Sequence, residues 1–328
     1  MVAPGRATKN LYLGIDLGGT KIITAIVDGR GRIVARDYRE TEAQDGPTAV
    51  LGQMTEAASS VIAESGVNSA GITGVGIAAP GPIDAHSGVV TAPPNLPGWK
   101  DVPLKQLIKD RLGLPTALEN DANAAALAEH RFGAGRGTKH MIYVTASTGI
   151  GGGFILDGRL YAGATGSAAE IGHMTILPNG PFCGCGNRGC LEALASGRAI
   201  AGEARELVHG GARTRIADLA HGDPDRISAK LVAQAAAEGD AEAGRILDQA
   251  MSYLGIGMAN LVNLFNPELL VIGGGLTKMG ERLFGPVRSI IDQRAFPANA
   301  HAVRVIPAEL GDDVGVLGAA AVAMLSQH

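Results

Sequence analysis

Leu11-Tyr12-Leu13-Gly14-Ile15-Asp16-Leu17-Gly18-Gly19-Thr20-Lys21 is the stretch on which the fold turns. Residues 11–15 are an apolar run, the pattern of a buried strand. The run ends at Asp16 and the turn-forming pair Gly18-Gly19. Residues 22–27 and 32–38 predict two more strands, joined at Asp28-Gly29-Arg30-Gly31. Asp-Gly between β-branched runs is a hairpin signal. Glycines at such a turn let backbone amides approach phosphate oxygens closely. Asp16 beside them could hold a magnesium ion, which prefers carboxylate and phosphate oxygens. Taken alone, the stretch also fits an ordinary hairpin turn with a solvated Asp.

Further along the chain, residues 50–65 have helical spacing and stop before Gly66. Residues 72–79 predict a buried strand that enters a Pro/Gly-rich loop, residues 80–103. A short strand over 115–119 gives way at Asn120-Asp121 to an Ala-rich helix over 122–132. Residues 141–145 predict a strand, followed by a loop rich in Gly, Ser and Thr up to Gly153. Residues 199–265 read as largely helical, with a break at 222–224. Strands over 269–272 and 303–306 and a helix over 314–325 complete the pattern. Strands alternating with helices give an α/β fold with a largely parallel or mixed sheet. Its glycine turns fall at the carboxyl ends of strands, where such folds bind ligands. The loops at 16–21 and 145–153 look alike, which hints at two related halves facing one cleft.

Composition narrows the function classes. Of 328 residues, 46% are hydrophobic and 18% charged, as in a globular enzyme and unlike a disordered chain. The net charge is −4, and no basic stripe stands out, which argues against nucleic acid as the main partner. Residues 1–10 show no apolar leader, and the apolar run near 319–325 is too short to span a bilayer. The expected setting is the cytoplasm, with no membrane partner.

Four places carry candidate chemistry besides the first turn. Thr145-Ala146-Ser147-Thr148-Gly149-Ile150-Gly151-Gly152-Gly153 offers a second phosphate cradle, or a flexible inter-strand loop. Two such turns, each after a strand, favour a nucleoside triphosphate held between two domains. Asp121 reads either as a helix N-cap or as a general base toward a hydroxyl. Cys183, Cys185 and Cys190, with His173 ahead of them, make a closed Cys₃His set suited to a structural zinc ion. Gly273-Gly274-Gly275 after a buried strand reads as a strand-to-helix turn or as a close backbone approach to a nucleoside. Asn95, Glu170 and Glu192 are further polar candidates, able with Asp121 and His173 to match a ring of sugar hydroxyls.

Together these pieces resemble the ROK family of sugar kinases and repressors. The most specific parts are Glu170-Ile171-Gly172-His173 and Cys183-Gly184-Cys185-Gly186-Asn187-Arg188-Gly189-Cys190-Leu191-Glu192. Within the family the chain looks most like the bacterial glucokinases. The resemblance implies an actin-like (ribonuclease H-like) fold, two α/β domains closing over a cleft. Residues 1–121 with 312–328 would form the small domain and 122–311 the large, zinc-bearing one. It implies Asp121 as catalytic base toward the sugar 6-hydroxyl, and a sugar held by Asn95, Asn120, Asp121, Glu170, His173 and Glu192. Phosphates of ATP, with Mg²⁺, would lie on Asp16, Gly18, Gly19, Thr20, Lys21, Thr148, Gly149 and Gly151, and the nucleoside on Gly273, Gly274 and Gly275. His173 would place one ring nitrogen on zinc and the other on a sugar hydroxyl. The cysteine cluster leans the donor toward ATP, since polyphosphate-using relatives typically lack it. A homodimer or homotetramer is implied as well. Other hexoses (N-acetylmannosamine, N-acetylglucosamine, mannose, fructose) share these motifs, and a sugar-responsive repressor is the remaining alternative. About ten residues precede the first strand, fewer than a DNA-binding module needs. One departure is Ala169, where many members have Gly before the Glu of E-x-G-H; its methyl bears on the shape of the sugar pocket.

Overall fold

The computed structural model describes residues 10–326. The reading of residues 1–9, and the outer ends 1–9 and 327–328 of the expected small domain, lie outside them. The chain opens with β1 (Leu11–Leu17), β2 (Lys21–Asp28) and β3 (Ile33–Glu40). Next come α1 (Gly46–Ser65) and β4 (Ile72–Ala79), then a small hairpin of β5 (Ile83–Asp84) and β6 (Val89–Val90). After α2 (Leu104–Leu112) and β7 (Thr116–Asn120), α3 (Asp121–Phe132) leads to β8 (Met141–Ala146), β9 (Ile150–Leu156) and β10 (Arg159–Leu160). An irregular segment follows, and then the helices α4 (Leu191–Ala195), α5 (Gly197–His209), α6 (Arg215–Leu219), α7 (Ala229–Ala237) and α8 (Ala241–Phe265). The chain closes with β11 (Leu269–Gly273), α9 (Glu281–Arg294), α10 (Pro297–Ala302), β12 (Arg304–Pro307) and α11 (Val314–Leu325).

Two five-stranded sheets run in the orders β3-β2-β1-β4-β7 and β10-β9-β8-β11-β12. In the first, β1 pairs antiparallel with β2 and parallel with β4, and β4 runs parallel to β7. In the second, β8 pairs antiparallel with β9 and parallel with β11, and β11 runs parallel to β12. The halves share one topology, as the two similar turns imply. In each half a glycine turn leaves the central strand, so Asp16 and Thr145 occupy corresponding positions near strand ends.

Several segments differ from the sequence reading, which assigns no element to α9 and α10. The second loop is shorter than expected: Ser147-Thr148-Gly149 is the turn, and β9 already begins at Ile150. Its glycines read as flexible, yet they serve close packing. A Cβ on Gly152 would lie 2.7 Å from the Ile171 side chain, and one on Gly153 2.6 Å from Ala126. The Pro/Gly-rich loop contains the β5–β6 hairpin. Helix α2 went unread because it buries only Leu104 and Ile108.

Helix α11 closes the first half. It packs on β1 and β4 although it comes last in the chain. Both strands carry a glycine beneath it: a Cβ on Gly76 would overlap the Ala319 carbonyl oxygen, and one on Gly14 would lie 2.5 Å from that of Val316. The helix answers with small residues, and Gly318, Ala319, Ala320 and Ala321 are all buried. Gly76→Ala is therefore expected to destabilise the protein by about 3 kcal/mol, because backbone and not a flexible side chain must give way. Urea unfolding measures it, and an unchanged midpoint would mean that α11 can retreat freely. Among the described residues no helix is long and apolar enough to cross a membrane.

Candidate active site

A cavity of about 480 Å³ opens between the two halves. Asp16 and Lys21 line it from the first sheet, Asp121 from the start of α3, and Gly273, Gly274 and Gly275 from the end of β11. Asp16 fits there because Gly315, at the start of α11, has no side chain to strike its carboxylate. Burial, then the neighbouring Asp121, raises the Asp16 pKa to about 6, with Lys21 acting against them. A carboxylate so placed gains from a cation, so this donor fits magnesium. The first turn is braced: the Gly18 amide donates to the Lys21 carbonyl at 2.9 Å, and the Thr41 hydroxyl to the Gly18 carbonyl at 2.8 Å. Gly19 lies against Asn95, whose carbonyl oxygen a Cβ would approach to 2.6 Å. Thr20 is exposed.

The opposite wall is made from the second half. The Ser147 amide closes its turn on the Gly149 carbonyl at 2.9 Å. Gly274 has φ +89°, and a Cβ there would lie 2.5 Å from the Ala146 carbonyl oxygen. Gly274 and Gly275 thus run close beside Ala146 and Ser147, and Gly273 lies against Tyr143. Thr148 is exposed at the turn's tip, and Gly151 continues into β9 beside Thr145. Sequence reasoning missed Tyr143, Thr277, Lys278 and Asp312 on this cavity. Thr277 and Lys278 follow the glycine triplet closely enough to have been found from it. Asp312 carries no local signal.

At Asp121 the structure resolves the alternatives about the cap. The cap is Asn120, whose Oδ1 accepts the amides of Ala122 at 2.9 Å and Asn123 at 3.3 Å. Asp121 is the first residue of α3, and its Oδ1 accepts the Ala122 amide at 2.8 Å. Asp121 is exposed as a residue and lines the cavity. The surrounding protein still raises its pKa by desolvation, and the charge of Glu170 raises it further, against hydrogen bonds that lower it. Glu119, not singled out from sequence, anchors the helix start. Its Oε1 accepts the Asn120 amide at 2.9 Å and the Asn123 side chain at 3.0 Å.

Asn95, Glu170, His173 and Glu192 are not among the residues lining this cavity, though Glu170 is near enough to Asp121 for its charge to act on it. His173 Nε2 stands 3.9 Å from Glu170 Oε2, while its Nδ1 stands 3.6 Å from Cys183 Sγ. Cys185 and Cys190 sulfurs are 3.7 Å apart, and one donor atom of each of the four residues falls within 4.8 Å of the others. Burial and the two neighbouring thiols push the Cys190 pKa up to about 12. Burial likewise raises the Cys183 pKa, while the Asn187 amide lowers that of Cys185, so the two buried thiols resist ionisation unless a cation shares their charge. With one imidazole the three sulfurs make a four-donor cluster that could hold a metal ion, and its chemistry fits zinc. Gly189, at φ +65°, lets the loop turn beneath the Leu177 carbonyl. Ala169 takes φ +67° just before Glu170, a left-handed conformation that costs a non-glycine residue about 1 kcal/mol. Glu192 reaches back to the second turn, its Oε2 accepting the Ile150 amide at 2.9 Å.

This architecture, two sheets of one topology with phosphate-type turns facing a shared cleft, defines the actin-like two-domain sugar kinases. The ROK family model matches residues 12–325, and the chain belongs to that family. It is 39% identical to a glucokinase of Thermotoga maritima over 96% of this chain and 97% of the relative. It is 34% identical to a xylose repressor of Caldicellulosiruptor bescii, over 93% of this chain but 76% of the repressor. A solved ROK family glucokinase of Streptomyces griseus, in complex with glucose and AMPPNP, superposes with a TM-score of 0.80 at 36% identity, covering 96% of this chain and all of that one.

Proposed function

We propose that the protein is an ATP-dependent glucokinase, transferring the γ-phosphoryl group of ATP to the 6-hydroxyl of glucose. The observation that carries this reading is the uncapped Asp121, which lines the cavity that Asp16, Lys21 and Gly273–Gly275 also line. The named glucokinase relatives support the choice of sugar and donor. Residues 10–121 with 312–326 make the small domain and 122–311 the large one, a division supported by the packing of α11 on β1 and β4.

In this mechanism glucose lies among Asn95, Asn120, Glu170, His173 and Glu192, and Asp121 accepts the proton of the 6-hydroxyl as it attacks. Asn120 contributes its side-chain amide nitrogen, since its oxygen is committed to the helix. The turns at Asp16–Lys21 and Ser147–Gly151 hold the phosphates, and Gly273–Gly275 the nucleoside. Asp16 would hold magnesium, which would neutralise phosphate charge. His173, Cys183, Cys185 and Cys190 would hold zinc, which would fix the tautomer and orientation of the imidazole and leave Nε2 for a sugar hydroxyl. The chain works in the cytoplasm as a homodimer or homotetramer.

A coupled ADP-release assay with Mg-ATP tests the reading across glucose, mannose, fructose, N-acetylmannosamine and N-acetylglucosamine. The highest kcat/KM is expected on glucose. Dominant turnover of another sugar overturns glucose and keeps the kinase; no ADP with any of them overturns both. The pH profile is a second check. A raised pKa means the protonated, incompetent form of Asp121 persists to higher pH. Activity should therefore fall, as pH is lowered, at values above the ordinary Asp range of about 3.9. An acid limb at or below that range would deny Asp121 the role of base.

A further inference from the structure

Glu192 and the second phosphate turn are joined by a bond that catalysis as described does not use. Glu192 lies in the first turn of α4, two residues after Cys190. Its Oε2 accepts the amide of Ile150 at 2.9 Å, directly after the Ser147-Thr148-Gly149 turn. Gly149 leaves the space for it, since a Cβ there would overlap that oxygen. The turn is also tied at the far end of α4. The Gly197 amide donates to the Ser147 carbonyl at 2.8 Å, and the Arg198 amide to the Thr148 carbonyl at 3.1 Å. The turn thus hangs across the short helix. Backbone holds one end, and a single carboxylate holds the other.

We infer that Glu192 is a positioning residue for the nucleotide phosphates, and that it couples sugar binding to nucleotide binding. The inference rests on the placement of Glu192 in the sugar pocket proposed above. One carboxylate oxygen holds the turn, which in that placement leaves the other for a sugar hydroxyl. A sugar hydroxyl on the free oxygen fixes the side chain, and with it the Ile150 amide and the turn. By linkage the effect is reciprocal: a nucleotide that orders the turn presents the carboxylate to the sugar.

The test is calorimetric titration of the full chain with Mg-AMPPNP, with and without glucose. Wild type is compared with Glu192→Gln, Glu192→Ala and Gly149→Ala, each checked for circular dichroism and bound metal. Without glucose, Glu192→Ala should weaken AMPPNP about tenfold, because it removes a charge-assisted acceptor. Glu192→Gln keeps an acceptor oxygen and should stay within about threefold of wild type. Glucose should tighten AMPPNP binding to wild type and leave its binding to Glu192→Ala unchanged. Gly149→Ala displaces the oxygen without altering Glu192, but Gly149 is itself part of the phosphate turn, so its readout is the effect of glucose. Loss of the tightening by glucose is expected, and a retained tightening overturns the coupling even if Glu192→Ala does not fold. Wild-type AMPPNP affinity in Glu192→Ala, alongside a raised glucose KM, overturns the coupling and leaves the kinase reading intact. A wild-type protein that binds no AMPPNP overturns both.

Discussion

Asp121→Ala should lower kcat for glucose phosphorylation by about 10²–10⁴-fold, the range a positioned general base contributes. The fold should survive. Asn120 remains to cap α3, and its Oδ1 already accepts the Ala122 amide that Asp121 also engages, so no buried donor is orphaned. Alanine is also the best helix former for a first-turn position. AMPPNP should still bind, because the substitution removes a negative charge that raises the pKa of Asp16. Steady-state kinetics with a thermal melt and an AMPPNP titration measure all three. Near-normal turnover would remove Asp121 from the chemistry. Lost turnover with lost folding would make it a structural residue.

Cys190→Ser is the second large effect. Cys190 is fully buried, starts α4 and lies between Cys185 and the helix that carries Glu192. A serine supplies no thiolate, so the set falls from four donors to three. Elemental analysis should show about one zinc per wild-type chain and little in the variant. The loop from His173 to Cys190 then loses its tether, and the unfolding midpoint should drop by about 5–10 °C. His173 is freed at Nδ1, and glucose KM should rise at least about tenfold, as when a group that orients a ligand is removed. The fall in kcat should be smaller, because Asp121 and the phosphate turns lie on other elements. Wild-type protein without bound metal, or an unchanged glucose KM in the variant, would refute this account.

The elements that announce themselves are those whose burial is written in consecutive apolar residues. β4 spans Ile72–Ala79 and α11 Val314–Leu325, both as expected. The ligand cluster was equally legible, because three cysteines within eight residues bring their own geometry. Less legible were elements whose stability comes from neighbours. Helix α2 shows a thin apolar face, and β9 opens with glycines that look like a loop until α3 and Ile171 are set against them.

The sequence by itself therefore determined the strand–turn units, the His/Cys cluster and the catalytic candidates, since each depends on residues a few positions apart. Only the tertiary structure decided that Asn120 and not Asp121 caps α3, and that Gly14 and Gly76 serve the return of the last helix onto the first sheet. It alone decided that Glu192 grips the second turn, and that Asp16, Asp121 and Gly273 share one cavity. The physical reason is one of range. Local propensity and spacing select an element, but which backbone it touches, and which carboxylate loses its water, depend on contacts between residues far apart in the chain.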